Sequence, residues 1–310
     1  MIKMPLRFLI ISIAVISVAL LLVYFSPLSD EAVREKFLNE YQIFPPPLPD
    51  SLFFADEKVP MDQFDVRERI EREFYVNTYW QSQTILLLKR SARWFPVLDS
   101  ILAANHVPTD FKFLAAAESG FINVVSPAGA VGFWQFLKTT GKKYGLEVND
   151  EIDERYHVEK STEAACKYFL KAYEAFNSWA LVAASYNMGV DGVEQQIEKQ
   201  KVNSYYDLLL NDETFRYVAR IIAMKEILTH PDNYGFHIRK KDLYAPYQYS
   251  EICIDSSVTD LADLSLSQNI NYKKLKLLNP WLRQNTITNK SGKSYFLKIL
   301  GEDYSGILNE

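Results

Sequence analysis

Apolar positions along this chain fall into four successive patterns. From Phe8 to Phe25 they run unbroken, FLIISIAVISVALLLVYF, with Lys3 and Arg7 ahead of them. At ~1.5 Å of rise per residue such a run approaches the thickness of a bilayer's hydrocarbon core. The preceding positive charges predict a cytoplasmic amino terminus with the remainder exported. The preferred expectation is an uncleaved anchor over 1–25, in an inner membrane with the rest in the periplasm. A cleaved signal peptide and a secreted form is the competing one, disfavoured because the run exceeds a usual signal core and no A-x-A site follows. No cysteine lies near the amino terminus, which argues against attachment by lipid. Over 26–61 regular periodicity lapses, and Phe44-Pro45-Pro46-Pro47-Leu48-Pro49 favours polyproline II, predicting a spacer.

Helical periodicity then dominates 62–240. It predicts helices over Asp62–Tyr79 and Ser82–Ala104, the second split in two by Pro96. A further helix enters at Phe111, with Thr109 or Asp110 placed to cap it, and stops at Gly120. Others follow over Leu137–Tyr144, from a Ser161 cap to Phe176, over Trp179–Asn187, and from Asp212 to about Leu228. Beyond a connector near Lys240 the pattern changes again. Tyr249–Ile254 and Tyr295–Ile299 read as strands flanking short helices at Val258–Leu266 and Tyr272–Leu278, a βααβ module over 241–310. The expected fold is therefore mainly α, with an N-terminal transmembrane helix and a small C-terminal βααβ unit.

Composition narrows the chemistry. With 310 residues, 48% of them hydrophobic, the chain can bury a full core and has room for two domains. A net charge of −5 without an evident basic face argues against nucleic acid as a partner. Two cysteines make no disulfide framework or metal-ligand spacing, and Cys166, among Ala164, Ala165, Tyr168 and Phe169, reads as a buried structural thiol. The four histidines (His106, His157, His230, His237) are scattered. No metal and no cofactor is expected.

The stretch with chemical promise is Phe111–Gln135, FKFLAAAESGFINVVSPAGAVGFWQ. Phe111, Leu114 and Ala115 stand seven, four and three positions before Glu118, so its carboxylate shares a face that ought to be buried. Gly120 places Glu118 in the last turn, where the helix dipole disfavours negative charge. Desolvation and dipole both push its pKa upward, the direction needed for a general acid near neutral pH. A random glutamate in such a place is more often a solvated helix end. The apolar face, the small-residue loop 126–132, and the ring and amide groups of Phe133-Trp134-Gln135 shift that balance, because sugars stack C–H faces on rings and hydrogen-bond to amides. Tyr186 and Asn187, polar-tipped at the end of an apolar helix, need either an internal partner or a cleft.

Glu118-Ser119-Gly120-Phe121, Ser126-Pro127-Ala128-Gly129-Ala130, Gly132-Phe133-Trp134-Gln135 and Tyr186-Asn187-Met188-Gly189 together resemble the ordered motifs of the soluble-lytic-transglycosylase (goose-lysozyme-like) family. The resemblance covers roughly Arg69 to Phe236. It implies a lysozyme-like helical domain acting on peptidoglycan glycan strands, with Glu118 as the single acid and base. It also implies that Ser119, Gly132, Phe133, Trp134, Gln135, Tyr186, Asn187, Glu213 and Tyr217 line the substrate groove. Trp134 and Tyr186 would form a stacking floor, and Gln135 and Asn187 would orient N-acetyl groups. His157 stands where the family usually carries an Asp. The C-terminal unit resembles a LysM module, without its usual Gly-Asp-Thr-Leu opening. A muramidase using the same glutamate and a non-catalytic wall-binding tether are the alternatives.

Overall fold

The computed structural model describes residues 30–40, 42–301 and 304–308. It corrects the expected fold class at one point: no helix among the described residues is long and apolar enough to cross a membrane. The expected span, Phe8–Phe25, lies outside the described residues. The chain divides into two units, Met1–Pro45 and Pro46–Glu310. Helix α1 (Asp30–Glu40) belongs to the first.

The second unit opens with a small antiparallel hairpin, β1 (Phe53–Phe54) and β2 (Glu57–Lys58). Leu52, Phe54 and Val59 are buried, so the segment expected as a spacer is built into the core by its last ten residues. Helices α2 (Phe64–Tyr79), α3 (Gln81–Ala104), α4 (Phe111–Ser119), α5 (Lys138–Lys143), α6 (Val158–Phe176), α7 (Trp179–Met188), α8 (Val190–Gln200) and α9 (Asp212–Thr229) follow. α9 packs on α2, α4 and α7 through Val218, Ile221, Ile222 and Ile227, each at most 1% exposed. On α4, Phe111 and Leu114 are fully buried, each contributing about 2 kcal/mol. This pair anchors the helix that carries Glu118.

Several local expectations are corrected by long-range partners. α3 runs through Pro96 as one 24-residue helix. Pro96 is exposed while Leu98 and Leu102 are fully buried, so the backbone bond lost to proline is outweighed by the packed opposite face. Asp110 precedes α4 without capping it. Its carboxylate instead accepts from Ala55 N at 2.7 Å and Lys225 Nζ at 2.6 Å, tying hairpin, α4 and α9 together. Ser161 lies inside the first turn of α6, donating to Val158 O, because the helix begins four residues earlier than expected, with His157 at the cap position. Glu57 holds the start of α7, accepting from Ala180 N at 3.0 Å and Ser178 Oγ at 3.1 Å.

The C-terminal module is β3 (Tyr249–Ile254), α10 (Leu261–Ser267), α11 (Tyr272–Leu278) and β4 (Tyr295–Leu300), with Tyr249 opposite Leu300 and Ile254 opposite Tyr295 in an antiparallel pair. Buried Asn279 ties α11 to β4, donating to Lys298 O and accepting from Lys298 N, both at 2.8 Å. The module shares a core with the helical domain: Val131, Ile152 and Tyr156 pack with Leu261, Leu275, Trp281 and Leu297. Backbone bonds Asp153 N to Trp281 O (2.8 Å) and Arg283 N to Glu151 O (2.7 Å) cross the junction.

Candidate active site

Glu118 sits in the last turn of α4, where Gly120 (φ +60°) ends the helix by donating from its N–H to Ala116 O at 2.9 Å. Phe121 is also left-handed (φ +59°), so the chain reverses sharply just past the carboxylate. Ser119 stiffens that reversal: its hydroxyl donates to Ala115 O at 3.1 Å and accepts from Phe121 N at 3.2 Å. Arg90 on α3 donates to Gly120 O at 3.1 Å. The backbone that aims Glu118 is held from both sides.

The carboxyl itself is partly buried and accepts a hydrogen bond from the hydroxyl of Tyr217 on α9. Burial raises its pKa from the ordinary 4.5 to about 7, against the lowering effects of the Tyr217 hydrogen bond and the charge of Arg220. The charge of Glu213 pushes it further up. A carboxyl poised there can give a proton and take one back at neutral pH. Burial and the adjacent Glu118 charge hold the Tyr217 phenol well above its ordinary range, so it acts as a neutral donor.

Three further residues reach this centre from positions that helical periodicity alone did not mark. Arg220, one turn past Tyr217, lies 3.6 Å from Glu73 on α2, and Arg216 lies 3.5 Å from the same carboxylate. Glu73 is 1% exposed, a buried anion that fixes where the arginine charge sits relative to Glu118. The one local sign was a Glu in α2 at i+3 and i+4 from the apolar Ile70 and buried Arg69.

The remaining expected residues divide by what their polar atoms already do. Asn187 Oδ1 accepts from Thr214 Oγ1 at 2.6 Å beside exposed Glu213, while its Nδ2 has no partner among the described residues. Tyr186 donates to Trp134 O at 2.6 Å, and its ring packs on Phe136, Tyr168 and Phe169. Gln135, left-handed at φ +47°, spends its amide nitrogen on Gly132 O (2.8 Å) and Val124 O (3.1 Å), bracing the loop. Gly132 (φ +81°) must lack a side chain, since a Cβ would stand 2.1 Å from Arg155 O.

Phe133 and Trp134 do not lie open as expected. Phe133 is 2% exposed and meets Trp94 edge-on, and Trp134 is fully buried with its indole nitrogen donating to Thr162 Oγ1 at 2.9 Å. The hydroxyl of Thr162 satisfies the polar edge, which lets the ring sink into the core. The stacking floor predicted from Trp134 is thereby corrected. Among the described residues no group of three or more His, Cys, Asp or Glu is arranged to hold a metal ion. Cys166 is fully buried, its thiol pushed up to about 12 by burial.

Residues 99–209 match the family described as Transglycosylase SLT domain, and residues 250–302 match the Soluble lytic transglycosylase C-terminal LysM-like domain. The chain is 27% identical over 256 residues to Membrane-bound lytic murein transglycosylase D of Escherichia coli strain K12, and equally to the protein of that name from strain O6:H1. These matches cover 79% of this chain and 54% of each relative, so the chain spans about half the length of the curated relatives it matches.

Proposed function

We propose that this chain, with its SLT domain followed by a LysM-like domain, is a lytic transglycosylase that cleaves the peptidoglycan of the cell envelope. The bond is the β-1,4 link between N-acetylmuramic acid and N-acetylglucosamine, and the product carries a 1,6-anhydro end. The observation that carries the reading is one partly buried carboxyl, Glu118, poised near neutrality against the neutral hydroxyl of Tyr217.

Most glycoside hydrolases divide the work between two carboxylates. Here one suffices because the substrate supplies its own nucleophile in place of the second carboxylate. Protonated Glu118 gives its proton to the bridging oxygen as the bond from muramic C1 breaks, and the 2-acetamido oxygen relieves the positive charge developing at C1. Glu118, now a carboxylate, takes the proton from the C6 hydroxyl as O6 bonds to C1. The acid is regenerated and no water is consumed. Tyr217 and Arg220 stabilise the carboxylate between the two transfers, and Asn187 Nδ2 is free to meet an acetamido carbonyl.

Digestion of purified wall glycan, followed by mass spectrometry of the released fragments, tests this directly. Anhydro ends from the natural chain, and fewer by about a hundredfold or more from Glu118→Gln, are expected. Reducing ends would make the chain a hydrolase using the same carboxyl. Unchanged cleavage by Glu118→Gln would overturn the assignment.

A further inference from the structure

A cavity of about 510 Å³ lies where the C-terminal module docks on the helical domain, and Glu118 does not line it. Its floor is the turn Phe121–Asn123, its walls come from α3 and the 244–247 connector, and its far side from α11 and Trp281. Such a volume suits a small ligand of several linked groups. The charge lining it is lopsided. Arg90, Arg93, Lys276 and Lys298 face a single carboxylate, Glu159, which Lys298 already contacts and whose other oxygen lies 3.1 Å from His157 Nδ1.

The other three cations meet only neutral acceptors. Arg93 donates to Ala245 O at 2.8 Å and to the hydroxyls of Tyr247 (3.1 Å) and Tyr304 (3.0 Å), with its guanidinium 4.3 Å from the Tyr247 ring centre. Lys276 donates to Leu282 O and Gln284 O, and Arg90 to Gly120 O. Partly buried cations without a counter-charge are costly unless a ligand supplies one. Half-buried Trp94 and exposed Leu277 offer apolar surface beside them.

We infer that this cavity binds a short carboxylate-bearing peptide. The inference rests on the proposed function in one respect: a wall polymer whose sugars carry acidic peptides presents that chemistry beside the bond to be cleaved. The peptide could arrive joined to an N-acetyl sugar or free, and both offer the same carboxylates and amides. The cavity is distinct from the acid centre, so one chain would hold the peptide while another part of it acts on glycan.

The test uses the full chain carrying Glu118→Gln, so that no turnover occurs, with N-acetylmuramyl-L-alanyl-D-isoglutamine as probe and tryptophan fluorescence and calorimetry as readouts. Saturable binding is expected, weakened about tenfold by Lys276→Gln, the loss of one charged contact. Leu277→Trp, at the exposed rim, should block the cavity without removing any hydrogen bond and without lowering the unfolding temperature. Raising salt should weaken binding. The free dipeptide tells the sources apart: equal affinity assigns the peptide alone, weaker affinity the sugar-linked form, and either supports the proposal. Absence of binding, binding indifferent to both variants, equal binding of uncharged tetra-N-acetylchitotetraose, or displacement by inorganic phosphate would each overturn it. Because binding is read without cleavage, failure of the natural chain to cleave wall glycan with binding intact would count against the proposed reaction and leave the cavity assignment standing.

Discussion

Glu118 and Glu159 are both partly buried glutamates, and they end at opposite extremes. Burial raises the pKa of each. At Glu118 it prevails, carrying the carboxyl to about 7, because its hydrogen-bond partner is the neutral Tyr217 and Glu213 adds a like charge. At Glu159 it is overcome by His157 and Lys298, which hold the carboxyl down to about 2. Their helix positions agree: Glu118 closes α4 at the negative end of the dipole, and Glu159 opens α6 at the positive end. Burial alone therefore does not make an acid catalyst. A buried carboxyl does so only where the fold withholds a cation from direct contact, and here Glu73 keeps Arg216 and Arg220 occupied nearby.

The largest effect expected from breaking this contrast is catalytic. Glu118→Gln should lower cleavage of wall glycan by about 10² to 10⁴, the range of a lost acid and base, with glycan binding retained in a pull-down on insoluble wall. Next comes Glu159→Gln. Its folded pKa is depressed, so its stabilisation is present above the unfolded value of 4.5 and is lost as pH falls toward 2. The variant should be destabilised by roughly 3 kcal/mol in denaturant unfolding at pH 7, and the difference should shrink at pH 3.

The stability effect at Glu118 has the opposite sign. Its folded pKa is raised, so the neutral form favours folding below 4.5 and that benefit is lost as pH rises through about 7. Glu118→Gln should match the natural chain near pH 4 and exceed it by roughly 3 kcal/mol at pH 8, where the natural chain must bury a charge. A smaller change should follow Tyr217→Phe. Removing the donor that lowers the Glu118 pKa moves the alkaline limb of kcat/KM to higher pH and cuts its maximum roughly tenfold. Arg220→Met should shift that limb in the same direction by less, since Arg220 acts through charge without a hydrogen bond to Glu118.

What could be read from the chain alone was what depends on neighbours in sequence. Glu118 shares a helical face with Phe111 and Leu114, and Gly120 terminates that helix, so both its burial and its place in the last turn were legible. The strand Tyr249–Ile254 and the helix Tyr272–Leu278 were legible with their ends. The groups that decide the outcome at Glu118 come from far away: Tyr217 stands 99 residues on, and Glu73 holds Arg220 from another helix. Trp134 looked open because its loop is built of small residues, and only the hydroxyl of Thr162, 28 residues later, explains how its indole could be buried. Pro96 looked like a break because the local rule counts one lost backbone bond and not the packed face opposite. The cavity at the module junction arises from docking contacts such as Asp153 N to Trp281 O, which no periodicity records.

The claim on which all this turns is that Glu118 keeps its proton near neutral pH. Carbon-13 NMR of the full chain labelled at glutamate carboxyls, with the Glu118 resonance identified by its absence in Glu118→Gln, measures that protonation directly. The account predicts an inflection near pH 7. An inflection near the ordinary 4.5 would contradict it.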